Sequence, residues 1–344
     1  SREFGSGGRE VGKRIADMLG YSYYDREIIT AIAGKHDYDE NYVESMLENG
    51  FSFCMTITYG RTFSYSDVGG QQAIQLLSAQ CRLLKKIKEK GNPSVAGLDP
   101  VLSYVPEYLR EKAYKEYGKN LKGACEAIWE FNKGLIDSFC DIVPAVKPQS
   151  AFYEMYGLNG EEVLHRTIKY AKEKGLYVIL DVKRNDIGST AEAYSKAYLG
   201  KVDIDGIEEE PCPVDCVTVN GYLGTDGIKP FVEDCKAYDK AIFALVKTSN
   251  PSSGELQDLT AGDKKIYEHV AELVNTWNAD TIGESGYGAV GAVVGATYPE
   301  QATVLRKIMK QSYFLVPGYG AQGGGAMGVK PCFNDDGLGA IVNS

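Results

Sequence analysis

The chain has 344 residues, 44% hydrophobic and 24% charged, ordinary globular proportions that exclude a disordered polymer and allow one large or two smaller domains. A formal charge of −10 and a pI near 5.0 argue against a non-specific nucleic-acid surface or an anionic-membrane surface, because the overall field repels both. The eight cysteines show no paired zinc spacing and no signal peptide or long apolar span is read, which predicts a reducing, cytoplasmic setting.

The first stretch, SREFGSGGREVGKRIADMLGYSYYDREIITAIA, opens with a glycine-rich turn and runs into an amphipathic helix with Val11, Ile15, Met18 and Leu19 at helical spacing. Such a turn can cradle phosphate on backbone N–H groups. Gly7, Gly12 and Lys13 have the separation of a Walker loop, but Arg14 stands where a magnesium-binding Ser or Thr is required. SREFGSGG with the YYDRE turn at Tyr23 to Glu27 resembles the start of the cytidylate-kinase-like family over residues 1–88. No lid or set of substrate arginines follows, so the expectation is an incomplete, α-rich, P-loop-kinase-like segment without kinase activity.

Residues 37–68 are polar and aromatic and carry no recognisable chemistry. From Gln71 to Lys90 apolar residues recur at three and four (Ile74, Leu77, Leu83, Leu84, Ile87), which predicts a helix ending near Gly91. A join between two different segments is expected inside it, dividing the chain into 1–88 and 89–344.

From Gly91 the pattern becomes short apolar runs separated by helical stretches, as in a parallel sheet. Strands are predicted at 94–99, 141–147, 177–183, 216–220, 241–247, 291–296, 313–318 and 337–343, with Pro144 arguing against the second. Helices are predicted between them, among them Ala124 to Phe139 and Gly160 to Glu173. That count suits an α/β (β/α)8 TIM barrel, and an open doubly wound sheet is the alternative. Cys212 and Cys216 in PCPVDC are the nearest approach to a metal pair, without a second pair or a nearby histidine to complete it. His36, His165 and His269 lie in helical patterns or their flanks and receive no catalytic role.

The most informative stretch is Leu176 to Thr190, LYVILDVKRNDIGST. Its apolar run reads as a buried parallel strand, and residues two apart share a face, so Asp181 and Lys183 point the same way with Asp186 just past the strand end. Two carboxylates are thus expected around one ammonium, at the edge where barrels build their chemistry. Asp99, Lys147, Asn220 and Lys247 stand at the ends of other predicted strands, and their convergence suits one small anionic ligand.

DVKRNDIGST fits the pattern Asp-x-Lys-x-x-Asp-Ile-x-x-Thr and resembles the orotidine 5′-phosphate decarboxylase family, in its longer bacterial branch, from about Glu89 onward. The resemblance implies the step that makes UMP in pyrimidine synthesis, with Lys183 protonating the ring carbanion and Asp181 and Asp186 keeping it cationic and in place. It implies ribose and charge-network roles for Asp99 and Lys147. Asp186, Ile187 and Thr190 would reach a neighbouring subunit's site, hence a homodimer with shared sites. KTSNPSSGE (Lys247 to Glu255) would close over the pyrimidine, with Ser249 or Ser252 on the base. PGYGAQGGG (Pro317 to Gly325) would hold phosphate through Pro317, Gly318 and Gln322. No metal or organic cofactor is implied, since pre-placed charges can act on the transition state directly.

Family members continue past Ile341 to Ser344 with a serine, an arginine and a glycine that clamp phosphate, then a closing helix. The expectation is therefore a barrel lacking its last helix and an impaired enzyme, as a lost charged hydrogen bond costs about 1.5–3 kcal/mol. Two rivals remain open: a magnesium-dependent sugar-phosphate decarboxylase of the same superfamily, and a nucleotide-phosphate binding module whose barrel is inert.

Overall fold

The computed structural model describes residues 82–319 and 325–343. The glycine-rich turn, His36, Cys54, Cys81 and Gln322 lie outside the described residues. Runs rich in Val, Ile, Ala and Leu form eight barrel strands: β1 Ser94–Leu98, β2 Ala145–Pro148, β3 Tyr177–Arg184, β4 Cys216–Val219, β5 Ala241–Lys247, β6 Val290–Val294, β7 Phe314–Val316 and β8 Ala340–Asn343. All are parallel, each pairs with its neighbours in sequence, and β8 returns to β1 through Ser94↔Val342. The sheet is closed, so the open doubly wound alternative falls away. Pro144 stands just ahead of β2, where its carbonyl accepts from the Tyr177 amide at 3.0 Å, and Pro148 ends the strand. A proline at either end removes no ladder donor from the middle.

The connections carry seven principal helices, α1 Glu107–Tyr117, α2 Leu121–Phe139, α3 Leu158–Glu173, α4 Gly188–Tyr198, α5 Thr225–Tyr238, α6 Ile266–Asn278 and α7 Pro299–Ile308. The two expected from periodicity begin a few residues early because periodicity marks buried turns and not caps. Asn120 caps α2 by accepting from the Gly123 amide at 3.0 Å. Two short hairpins, Val202–Ile204 with Ile207–Glu209 and Thr260–Ala261 with Lys264–Lys265, were not legible in the sequence.

Strand alternation divides the core into two layers. Val178, Leu180 and Val182 face the helices with Ile168, Ile228, Phe231 and Val274. Tyr177, Ile179, Phe243, Leu315 and Ile341 fill the barrel interior. Gly291 makes room there, because a Cβ on it would meet the Phe243 ring at 2.5 Å.

Leu83, Leu84 and Ile87, on the helical stretch 82–90, join that interior cluster and close the amino-terminal end of the barrel. Arg82 ties the stretch down through Asp215 at 3.1 Å and Asp239 at 2.9 Å, residues just before β4 and β5. The expected division between 88 and 89 thus falls inside a helix that packs on the barrel.

Arg306 supports the wall at β7 and β8. It is buried on α7 against the Phe314 ring, and it donates to the carbonyls of Cys332 (3.0 Å), Met309 (2.8 Å), Ser312 (3.0 Å) and Gly339 (2.7 Å). These carbonyls lie in the segments leading into β7 and β8. Arg306→Met would leave all of them without this donor and is expected to lower unfolding free energy by about 3 kcal/mol, measured by urea denaturation.

Candidate active site

On four strands the inward row of side chains turns polar at the carboxyl end. On β3 the row runs Tyr177, Ile179, Asp181; on β2, Ala145 then Lys147; on β4, Cys216 then Thr218; on β5, Phe243, Leu245, Lys247. Apolar packing below therefore fixes which strand positions reach the rim. Asp99, one residue past β1, completes the set.

Asp181 is the buried centre. Its Oδ1 accepts from Lys183 Nζ at 2.7 Å and Thr218 Oγ1 at 2.6 Å, and its Oδ2 accepts from Gln149 Nε2 at 2.9 Å and Lys147 Nζ at 3.2 Å. Those four donors fill a carboxylate's accepting capacity. Lys147 is buried between Asp181 and Asp99, whose Oδ1 lies 3.8 Å away. The Lys183 side chain is 45% exposed, so its ammonium is held from one side and open to a ligand on the other.

Asp181 and Lys183 do meet, but not through a regular pleat. Lys183 has φ +47°, a left-handed conformation costing roughly 1–2 kcal/mol for a residue with a Cβ. The β3–β4 register shifts across it, from Leu180↔Val217 to Arg184↔Val219. Such a bulge re-aims a side chain at the strand end.

Burial alone would raise the Asp181 carboxyl, but Lys147, Lys183 and the hydroxyl of Thr218 outweigh it and bring its pKa below the ordinary value. Asp99 goes the other way, raised by burial and by Asp181 against the pull of Lys147 and Lys183. Two carboxylates beside one lysine thus titrate apart.

The other expected site residues divide. Asp186 makes no ion pair with Lys183 within the chain; its Oδ1 accepts from the Ile187 amide at 2.8 Å. The strand ends before it and the chain turns into α4, so within one chain the carboxylate that holds Lys183 is that of Asp181. Ile187 is 54% exposed and Thr190 is exposed on the same turn. Asn220 serves a local cap, accepting from the Tyr222 amide at 3.0 Å.

In the loop after β5, Ser249 is half-buried and Ser252 is exposed, while the adjacent Ser253 turns inward. Lys247, fully buried, donates to Asp258 at 2.9 Å and Ser253 at 3.1 Å and lies over the Tyr298 ring. Gln257 braces the same loop with bonds to the Thr248 amide and hydroxyl at 3.0 and 2.8 Å. Pro317 and Gly318 follow β7, Gly318 at φ +94°.

Thr218, Gln149, Gln257 and Asp258 were missed by sequence reasoning. The first two had a weak signal: Thr218 is the inward residue of CVTVN, and Gln149 falls two after Lys147. Cys212 and Cys216 are buried thiols, Cys212 pushed up to about 12 by burial. No group of three or more His, Cys, Asp or Glu placed to hold a metal ion occurs among the described residues.

A closed eight-stranded barrel with a charged cluster at its carboxyl rim defines a TIM-barrel protein whose site is built from several strand ends. Residues 127–338 match the model of the "Orotidine 5'-phosphate decarboxylase / HUMPS family". Orotidine 5′-phosphate decarboxylase of Caldicellulosiruptor saccharolyticus is 45% identical over 269 residues, covering 78% of this chain and 88% of that protein. The protein of that name from Rhodopirellula baltica is 46% identical over 269 residues, 78% and 87% of the two. The chain belongs to the orotidine 5′-phosphate decarboxylase / HUMPS family.

Among solved structures, Leishmania donovani OMP decarboxylase superposes with TM-score 0.61 at 30% identity, covering 78% of this chain and 88% of that one. L. donovani UMP synthase gives 0.62 at 32% identity, covering 76% of this chain, which spans 50% of that longer chain. Residues 1–98 match the cytidylate kinase-like family, a match that continues through the floor helix and β1.

The lowered Asp181 pKa has a consequence for stability. The native state binds this proton less readily than the unfolded chain, so the contribution is fully present above about pH 3.9 and is lost as pH falls through the lower native value. Urea midpoints measured against pH should therefore fall more steeply for the wild type than for Asp181→Asn below about pH 4, with the variant less stable at neutral pH.

Proposed function

We propose that this protein decarboxylates orotidine 5′-phosphate to UMP and CO2 in de novo pyrimidine synthesis. The observation that carries the reading is the half-exposed Lys183 ammonium, tethered at 2.7 Å to a carboxylate that also binds Lys147, on the rim of a barrel of this family. The bond from ring carbon 6 to the carboxyl group breaks and its electron pair stays on the carbon. A proton from Lys183 Nζ then completes UMP, and solvent returns a proton to the amine through the open side of the site. Asp181 and Lys147 place the charges before the reaction starts, so little reorganisation is needed when charge moves to the ring.

Asp99 would meet the ribose. Ser249 or Ser252 would meet the base from the loop braced by Lys247. Pro317, Gly318 and Gln322 would receive the phosphate, the positive φ of Gly318 supporting a tight turn there.

Exposed Ile187 and Thr190 beside the rim support a homodimer in which Asp186, Ile187 and Thr190 complete the partner's site. Six free cysteines among the described residues support a reducing, cytoplasmic setting. Residues 1–88 are proposed to be a cytidylate-kinase-like fragment joined to the barrel at 89–344, a reading the match at 1–98 supports.

CO2 release from orotidine 5′-phosphate, insensitive to a chelator, is the direct assay. Lys183→Ala should lower turnover by at least about 100-fold, the low end of general acid catalysis. Equal rates in the two proteins, or no turnover by the wild type, would sink the proposal. Lys247→Met should loosen the 248–258 loop, seen as faster limited proteolysis within it and a roughly tenfold higher KM. An unchanged cleavage rate and KM would remove Lys247 from this role.

A further inference from the structure

The structure assigns Thr218 as the positioning residue of the site: its hydroxyl ties the left-handed backbone of Lys183 to the carboxylate that holds the same lysine's ammonium. This rests on the proposed role of Lys183. Between Leu180↔Val217 and Arg184↔Val219, β3 advances by four residues while β4 advances by two, so the Lys183 amide is out of step with the ladder. It donates instead to Thr218 Oγ1 at 3.0 Å. The Thr218 hydroxyl in turn donates to Asp181 Oδ1 at 2.6 Å, the same oxygen that receives Lys183 Nζ at 2.7 Å.

The result is a closed circuit from the lysine's main chain to its own side chain through two neighbours. Only a group that accepts and donates at one atom can stand at its corner, which a hydroxyl does and a methyl does not. Thr218 is buried, so water has no ready access to replace it. Without the hydroxyl, the Lys183 amide and one Asp181 lone pair lose their partners together, and the bulge that aims the ammonium loses its brace.

Thr218 does not need to touch substrate, so its loss should act on turnover more than on affinity. Thr218→Val should lower kcat by roughly 10- to 100-fold, the effect of one charge-assisted hydrogen bond, with the Kd for UMP changed by less than about threefold. Thr218→Ser should restore wild-type turnover. The acid limb of the pH profile should move up in the valine variant, because Asp181 loses a donor while Lys147, Lys183 and Asp99 still face it. A merely structural threonine would lower stability and leave that limb in place.

Independently of activity, the Lys183 amide should exchange with solvent at least about tenfold faster in Thr218→Val than in the wild type or Thr218→Ser. If the valine variant does not fold, Thr218→Cys, with a weaker hydrogen-bonding group of similar size, is measured in its place, with changes in the same direction. Wild-type turnover with unchanged kcat in the valine or cysteine variant would overturn the role of Thr218 alone. No turnover by the wild type would overturn the functional reading, and the amide exchange would then decide Thr218: faster exchange upholds the brace and unchanged exchange rejects it.

Discussion

A single buried carboxylate organises the rim of this barrel. Asp181 reaches it because it continues an inward row whose lower members are Tyr177 and Ile179. Four donors from three strands and the segment after β2 converge on it. A buried charge persists only when its partners are in place, and here one of those partners, Lys183, is the cation proposed to act on substrate. The fold and the chemistry therefore depend on the same contacts.

The barrel and half of its rim were legible in the sequence. Runs of β-branched residues at regular spacing gave all eight strands, and period two put Asp181 and Lys183 on one face. The bulge at Lys183 was not legible, since an Asp-x-Lys pair looks the same with or without it. Periodicity marks Thr218 only as an inward residue; its partners lie on β3 and are fixed by the pairing of β3 with β4. Asp186, two residues past the end of β3, accepts from the Ile187 amide within the chain, a local contact that strand periodicity does not foresee. Ser253 illustrates the same limit: among three serines in the loop, the one that turns in is decided by Lys247 below it.

The floor and the rim are built on opposite principles. At the floor, Leu83, Leu84 and Ile87 contribute apolar area to the barrel interior, while Arg82 is anchored at the edge by Asp215 and Asp239. At the rim, Lys147 and Lys247 are buried cations matched to carboxylates and hydroxyls. Apolar burial is indifferent to direction and tolerates exchange of one aliphatic residue for another. A hydrogen-bonded cation is not indifferent, so the orientation of the rim is set much more narrowly than that of the floor.

Because every accepting position on Asp181 is taken, its neighbours cannot be altered one at a time without disturbing the others. Energies of paired changes among Lys147, Gln149 and Thr218 will not sum, as expected for groups sharing one acceptor. A lineage drifting through this region would have to change these positions in concert, or leave them alone while the helices around the barrel vary.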